Sequence, residues 1–447
     1  MRSTRLKFLQ SGMAAAAAPA LAAPALAAHP VPAAAQSAPP TASSDSGGMY
    51  RILVLSGGTA YGAYEAGVLA GLQKALGGAQ TYDIVCGTSA GALNGAMFAS
   101  NQVPELETLW KSVSTLPVLV VKRRFADILK SSAGVGTRGW ELVSLLLGAT
   151  VGNVQGVHES APVTRILTNH LVRNNAVVTF SRPLFWTATD VTDGCAGMFV
   201  RDAGADAGVP GSALSRAAAR AMGPTNRTSS DLLESSTSGV RFTPVNDTAT
   251  FIETLRASSA IPAVFDPALI NIGGYERLLV DGGVLNNTPL SLVREAVRTG
   301  PVTVDVVRLG GDFSGQPNES SRNVLQIILG LYGAISQRLL DDGVRLLAAH
   351  DALSRTSRFF AGNPAAVGPL AAAQTSALAA VRTRNAAAYL EHDVTINVIK
   401  PSQPLIGSSL DFTDKGSIDW NFELGRHDVM TFGFKEYQTP GNICALG

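Results

Sequence analysis

Gly87-Thr88-Ser89-Ala90-Gly91 ends the apolar run Tyr82 to Cys86 and begins a small-residue stretch that continues to Ser100. A serine between two small residues at such a junction reads as a nucleophile elbow. In G-x-S-x-G the chain turns sharply from strand to helix, and glycines flank the serine because a Cβ there would strike the neighbouring strand and helix. The turn exposes the hydroxyl and aims the partial positive end of the helix at it. The chain holds 45 glycines, so an ordinary tight turn also satisfies the pentapeptide, and the surrounding sequence has to decide.

Just upstream, Arg51-Ile52-Leu53-Val54-Leu55 is a β-branched-rich run ended by Ser56-Gly57-Gly58, which predicts a buried strand. Tyr64 to Leu76 then carries Val68, Leu69, Leu72 and Leu76 at helical spacing. Tyr82 to Cys86 is the next strand, and Ala90 to Ser100 a helix able to lie close on a sheet. Two strand–turn–helix units in succession imply parallel strands joined by right-handed crossovers, hence an α/β fold. Further strands are expected at Leu184 to Thr189, Leu278 to Val280, Val302 to Leu309 and Val394 to Ile399. Asn323 to Leu353 reads as a long helix on which Asp341 and Asp342 form a solvated face, and Ala203 to Asp247 as an irregular excursion. One α/β domain from Tyr50 to the C-terminus is the simplest account.

A net charge of +1, with 15% charged residues among 447, points neither to nucleic acid nor to a strongly acidic partner. The N-terminus differs. Arg2, Arg5 and Lys7 precede the alanine-dominated run Phe8 to Ala28, and Ala25-Leu26-Ala27 offers the small-x-small pattern of a cleavage site. Residues 1–28 are therefore expected to be an export signal and residues 29–49 a disordered linker, which places the protein outside the cytoplasm. Pro19 and Pro24 suit equally a disordered alanine-rich extension, and Arg2 and Arg5 do not make a twin-arginine signal. Beyond this stretch no apolar run is long enough to span a membrane. Cys86, Cys195 and Cys444 cannot all pair and match no metal spacing, so Cys86 reads as a small buried apolar residue. No acidic or histidine cluster has ligand spacing, and cofactor-independent chemistry without a metal is expected.

A serine hydroxyl becomes a nucleophile only when something takes its proton and something else receives the charge on the attacked carbonyl. The loop Ser56 to Gly62 follows the first strand and opens a helix, so its N–H groups can converge on an anion. If the two strands are neighbours, that loop lies beside Ser89. Asp281-Gly282-Gly283, directly after Leu278-Leu279-Val280, suits a general base facing Ser89, although an Asp-Gly turn is the competing reading. Asn286-Asn287-Thr288-Pro289 then starts a helix, with Thr288 as cap and Pro289 at its first position. A dinucleotide site is disfavoured because the second strand ends in Cys86-Gly87 rather than an acid, and no Gly-Lys-Ser/Thr makes a P-loop.

Together these pieces resemble the patatin-like phospholipase family. The Gly-rich loop, G-x-S-x-G, the lead-in Arg256 to Phe265, and D-G-G-V followed by Asn287-Thr288-Pro289 match the family's motifs in order and spacing over about Arg51 to Ala296. The resemblance implies a three-layer α/β/α fold with a mainly parallel central sheet. It implies Ser89 as nucleophile with Asp281 as its sole side-chain partner, and Gly57, Gly58, Thr59 and Gly62 as the oxyanion loop. Gly87, Gly91, Gly282 and Gly283 support these elements. The implied reaction is hydrolysis of lipid or phospholipid acyl esters through an acyl-enzyme. The chain departs from the family's G-G-G-x-R/K-G at Thr59 and Tyr61: a β-branched residue adopts positive φ at a cost, and the loop loses its basic residue.

Two other readings compete. Ser89, Asp281 and His427 occur in the order of an α/β-hydrolase triad, and a catalytically silent lipid-binding relative would also carry these motifs. The apolar run Leu116 to Val121, followed by Lys122, Arg123 and Arg124, suggests peripheral contact with an anionic membrane, with Trp140 to Gly148 as a further apolar turn.

Overall fold

The computed structural model describes residues 50–123, 156–201, 240–290, 302–309, 338, 342–343, 394–408 and 410–436. These fall within one compact unit, Ala42–Gly447. The export signal, the linker, Trp140 to Gly148, Arg124, Asp341, Cys444 and most of the Ala203 to Asp247 and Asn323 to Leu353 stretches lie outside the described residues.

The first unit is strand β1 (Tyr50–Leu55), a tight 3₁₀ turn at Thr59–Tyr61 and helix α1 (Gly62–Leu76), and the second is β2 (Ile84–Thr88) and α2 (Ala90–Ala99). Helix α3 (Val103–Ser112) follows, then β3 (Gly156–His158), α4 (Ala161–Leu171) and the small hairpin β4 (Val172–Arg173) and β5 (Ala176–Val177). Next come β6 (Leu184–Asp190), β7 (Cys195–Arg201), β8 (Val240–Pro244) and α5 (Thr248–Ser258). After β9 (Ala263–Phe265), the hairpin β10 (Ala268–Ile272) and β11 (Tyr275–Asp281) leads into one helical turn, Gly283–Asn286. Strands β12 (Val302–Val307) and β13 (Val394–Ile399), helix α6 (Lys415–Thr431) and the short β14 (Lys435–Glu436) complete the described elements.

Strands β6, β2, β1, β12 and β13 lie side by side and parallel, as the two crossover units require. Antiparallel strands close both sides: β14 beyond β13, and β7 and β11 at β6. The result is a mixed, mostly parallel sheet with flanking helices, the three-layer α/β/α architecture. Strands such as β2 and β6 are buried along their whole length, which is why they read as apolar runs without alternation.

The pairing at β6 positions the site. Strand β7 pairs with β6 from Leu184 to Asp190, filling one edge. The other edge is shared: β2 occupies it up to Thr88 opposite Thr187, and β11, running the other way, begins at Asp281 opposite Ala188. Two strands thus end facing each other on one edge of a third. β11 was expected as a strand, but its antiparallel direction rests on the β10–β11 hairpin, whose alternating β10 the apolar-run criterion passes over.

Candidate active site

Ser89 sits between β2 and α2 at φ +55, the strained left-handed conformation of a nucleophile elbow. The flanking glycines are required by close approach. A Cβ on Gly87 would lie 2.2 Å from the Gly91 carbonyl oxygen, and one on Gly91 would lie 2.6 Å from that of Leu55 on the neighbouring strand. Ser89 is 5% exposed, lines a cavity, and donates its N–H to Ser258 Oγ at 2.9 Å.

Asp281 is 1% exposed at the end of β11, and its Oδ1 accepts the Gly283 N–H at 2.7 Å. The second glycine of D-G-G therefore fixes the carboxylate, while a Cβ on the first, Gly282, would lie 2.5 Å from the Thr187 carbonyl. Ser258 connects the two halves of the site. Its hydroxyl takes the Ser89 N–H and its carbonyl takes the Gly282 N–H at 3.2 Å. The structure thus brings Ser89 and Asp281 to the meeting point of β2 and β11. Ser258 belongs to the lead-in Arg256 to Phe265, but the sequence assigns it no role, because a helix-end serine carries no signal of its distant partners.

The Gly-rich loop is held from the other side by the segment after D-G-G. Gly57 donates its N–H to the Asn287 carbonyl and accepts from Asn287 Nδ2, each at 3.2 Å, and the Ser56 and Thr288 hydroxyls are 2.9 Å apart. Asn287-Thr288-Pro289 thus clamps the loop, directly after the helical turn Gly283–Asn286; the helix expected from Pro289 onward falls on residues 291–300, outside the described residues. Of the expected oxyanion donors, the Gly57 N–H is committed to Asn287 and the Gly62 N–H to the carbonyls of the 3₁₀ turn. The Gly58 N–H donates to no described residue, and Thr59 lines the cavity at φ +52 with its hydroxyl on the Gly58 carbonyl at 2.7 Å. The position where the family places a third glycine keeps a left-handed backbone even with threonine.

The cavity beside Ser89 holds about 770 Å³ of empty space, counted out to its mouth. Helices α2 to α5 contribute Leu93, Trp110, Ile166 and Leu255, and the stretch after Ser258 contributes Ile261 and Phe265. Among the described residues its polar side-chain lining is the hydroxyls of Thr59, Ser89 and Ser259, with no charged side chain. Behind Trp110 runs a buried chain: Trp110 Nε1 donates to Asn94 Oδ1 at 2.8 Å, and Asn94 Nδ2 donates to Glu65 Oε2 at 2.8 Å and to the Gly62 carbonyl at 3.0 Å. Burial pushes the Glu65 carboxyl well above the usual carboxylate range, against the Asn94 hydrogen bond. Cys86 is fully buried and its thiol is pushed up by burial, as an inert core residue should be.

A family model for patatin-like phospholipases matches residues 53–294, the span that carries the elbow, the clamp and Asp281. The chain belongs to the patatin-like phospholipase family. Membership in the patatin-like phospholipases makes it a lipid hydrolase at the level of the family. Among solved structures, VipD from Legionella pneumophila is similar at 13% identity, over 85% of this chain and 67% of that one, with a TM-score of 0.27. The type III effector protein ExoU is similar at 14% identity, over 84% and 74%, with a TM-score of 0.16. No curated protein matches the chain.

The alternative triad finds no support in the geometry. His427 lies on α6 with 43% of its side chain exposed, its Nδ1 3.4 Å from Asp428 Oδ1 and its ring against Phe432, and it contacts neither Ser89 nor Asp281. A histidine beside an aspartate in sequence here serves the outer face of a helix. Lys122, read in the sequence with Arg123 and Arg124 as a basic cluster facing an anionic membrane, is buried and paired with Asp266, while Val121 bridges to His158. Among the described residues no helix is long and apolar enough to cross a membrane.

Proposed function

We propose that the protein hydrolyses carboxylic esters of lipids, with Ser89 as nucleophile and Asp281 as its general base. The observation that carries this reading is the end-to-end meeting of β2 and β11 on one edge of β6, beside an apolar cavity. Asp281 accepts the Ser89 Oγ proton as Oγ bonds to the acyl carbonyl carbon, and the negative charge moves to the carbonyl oxygen. The Gly58 N–H, with the N-terminus of α2 behind Ser89, receives that charge. The proton passes to the departing alkoxide, the C–O ester bond breaks, and an acyl-Ser89 ester remains. Water then loses a proton to Asp281, attacks the acyl carbon and releases the fatty acid, returning the proton to Ser89.

A cavity whose described lining is apolar and uncharged suits the acyl chain and leaves a charged headgroup outside. A substrate panel of lipid and simple esters, run with wild type, Ser89→Ala and Asp281→Asn, tests the assignment. Both variants are expected to lose on the order of 10⁴-fold in kcat while remaining folded. Full turnover by either one refutes the dyad. Thr59 motivates the second reading, a catalytically silent lipid binder, and a fluorophosphonate probe separates the two. Labelling abolished by Ser89→Ala supports the enzyme, and a folded wild type that stays unlabelled supports the binder.

A further inference from the structure

The family match ends at residue 294, yet the cavity does not. Two of its lining residues, Leu410 and Phe412, come from the stretch just before α6, far beyond the matched span. Both are partly buried. Phe412 stacks on Trp110, with ring centroids 6.5 Å apart and 24° between planes, and Leu410 packs on the cluster of Ile261 and Phe265. They therefore span the cavity from its α3 side to its Ile261 side and form one wall of it.

This wall is anchored. Ser402 bonds to the buried Asp428 through both its N–H and its hydroxyl, and the Ile406 N–H and carbonyl pair with the Asn421 amide, each at 3.0 Å. Asp414 caps α6 by accepting the Ser417 N–H. In between, Tyr61 donates its hydroxyl to the Gly407 carbonyl at 3.0 Å. Tyr61 stands where the family's loop usually has a basic residue, so the position that would carry a charge beside the oxyanion loop here ties that loop to the wall. Trp110, on which Phe412 rests, is held in turn by Asn94.

Resting on the ester-hydrolase reading above, we infer that Leu410 and Phe412 are specificity-determining residues that close the acyl cavity and set its preference for acyl-chain length. A chain long enough to reach this wall gains apolar contact with Phe412 and Leu410, and a short one does not. One methylene against an apolar wall is worth about tenfold in kcat/KM.

The test measures kcat/KM for p-nitrophenyl butyrate, octanoate and palmitate with wild type, Phe412→Ala, Leu410→Trp and Tyr61→Phe. Phe412→Ala is expected to lower the ratio of long-chain to short-chain kcat/KM about tenfold or more. Leu410→Trp narrows the cavity and is expected to move the preference toward the shorter esters. Tyr61→Phe, which keeps the ring and loses the tie, is expected to change the ratio in the direction of Phe412→Ala, by less. Equal losses across all chain lengths mean that the segment is merely structural, and overturn the inference. An unchanged chain-length profile in Leu410→Trp overturns it too, even if Phe412→Ala fails to fold. If wild type hydrolyses none of the esters, the hydrolase reading itself fails, an outcome distinct from hydrolysis with an unaltered profile.

Discussion

Replacing Gly57 with alanine tests whether the Gly-rich loop and the Asn287 segment act as one piece. Gly57 is not among the positive-φ residues, so alanine is conformationally permitted there and its effect is steric. The new Cβ would lie 2.4 Å from Asn287 Oδ1 and 3.0 Å from Ser89 Cβ. Neither can simply withdraw: the Asn287 amide is buried and bonded to the Gly57 carbonyl, and the Ser89 turn is tied to Ser258. Overpacking of this kind costs about 1–3 kcal/mol, and displacing the Asn287 amide forfeits a hydrogen bond of about 1 kcal/mol. Gly57→Ala is therefore expected to destabilise by about 2–4 kcal/mol. Asn287→Ala alone should cost only about 1 kcal/mol, because the Gly57 N–H bond to the Asn287 carbonyl is main chain and survives. In the double variant the worst clash is gone, so it should be more stable than Gly57→Ala by about 1–2 kcal/mol. Urea unfolding of the four proteins reads the cycle. Short-ester turnover should fall about tenfold for each 1.4 kcal/mol by which the displaced Ser89 loses transition-state stabilisation. Additive destabilisation, or a Gly57→Ala protein with wild-type stability and turnover, would refute the clamp.

Three further outcomes follow from neighbouring residues. Alanine normally stabilises over glycine by about 0.4–1 kcal/mol; at Thr59, with φ +52, a Cβ costs roughly 1–2 kcal/mol, so Thr59→Gly should unfold at higher urea than Thr59→Ala, and the opposite order counts against a left-handed loop. Ser258→Ala leaves the buried Ser89 N–H without its acceptor and should cost about 1–3 kcal/mol by the same assay; a change within error removes Ser258 from the support of the elbow. Glu65 has a native pKa raised by burial above the ordinary 4.5, so the folded state keeps a proton that the unfolded chain releases. Its contribution is complete below pH 4.5 and declines as pH rises through the native pKa. Glu65→Gln cannot ionise, and its gain over wild type in urea unfolding should be larger in alkaline buffer than below pH 4.5; equal differences at both refute a protonated Glu65.

The elements that were legible in the sequence are those written in short-range patterns. β13 runs from Val394 to Ile399 as its β-branched-rich sequence predicts, and α1 and α2 follow their glycine turns, because strand propensity and turn chemistry act over a few residues. The elbow at Ser89 was readable for the same reason: its glycines answer to contacts within the motif and on the adjacent strand. The order Ser89, Asp281, His427 could not choose between dyad and triad because chain order carries no distance, and the charge run at Lys122 does not reveal its partner, Asp266.

By itself, then, the sequence determined the parallel crossover units, the strained serine turn and the small residues that let backbones approach. Only the tertiary structure decided that β11 runs antiparallel to β6 and ends on the same edge as β2, which places Asp281 opposite Ala188, next to Thr88 opposite Thr187. The tertiary structure also assigned Ser258, Asn287 and the Phe412 wall to one site. The physical reason is that pairing and register are chosen by contacts among strands distant in the chain, which no local periodicity records.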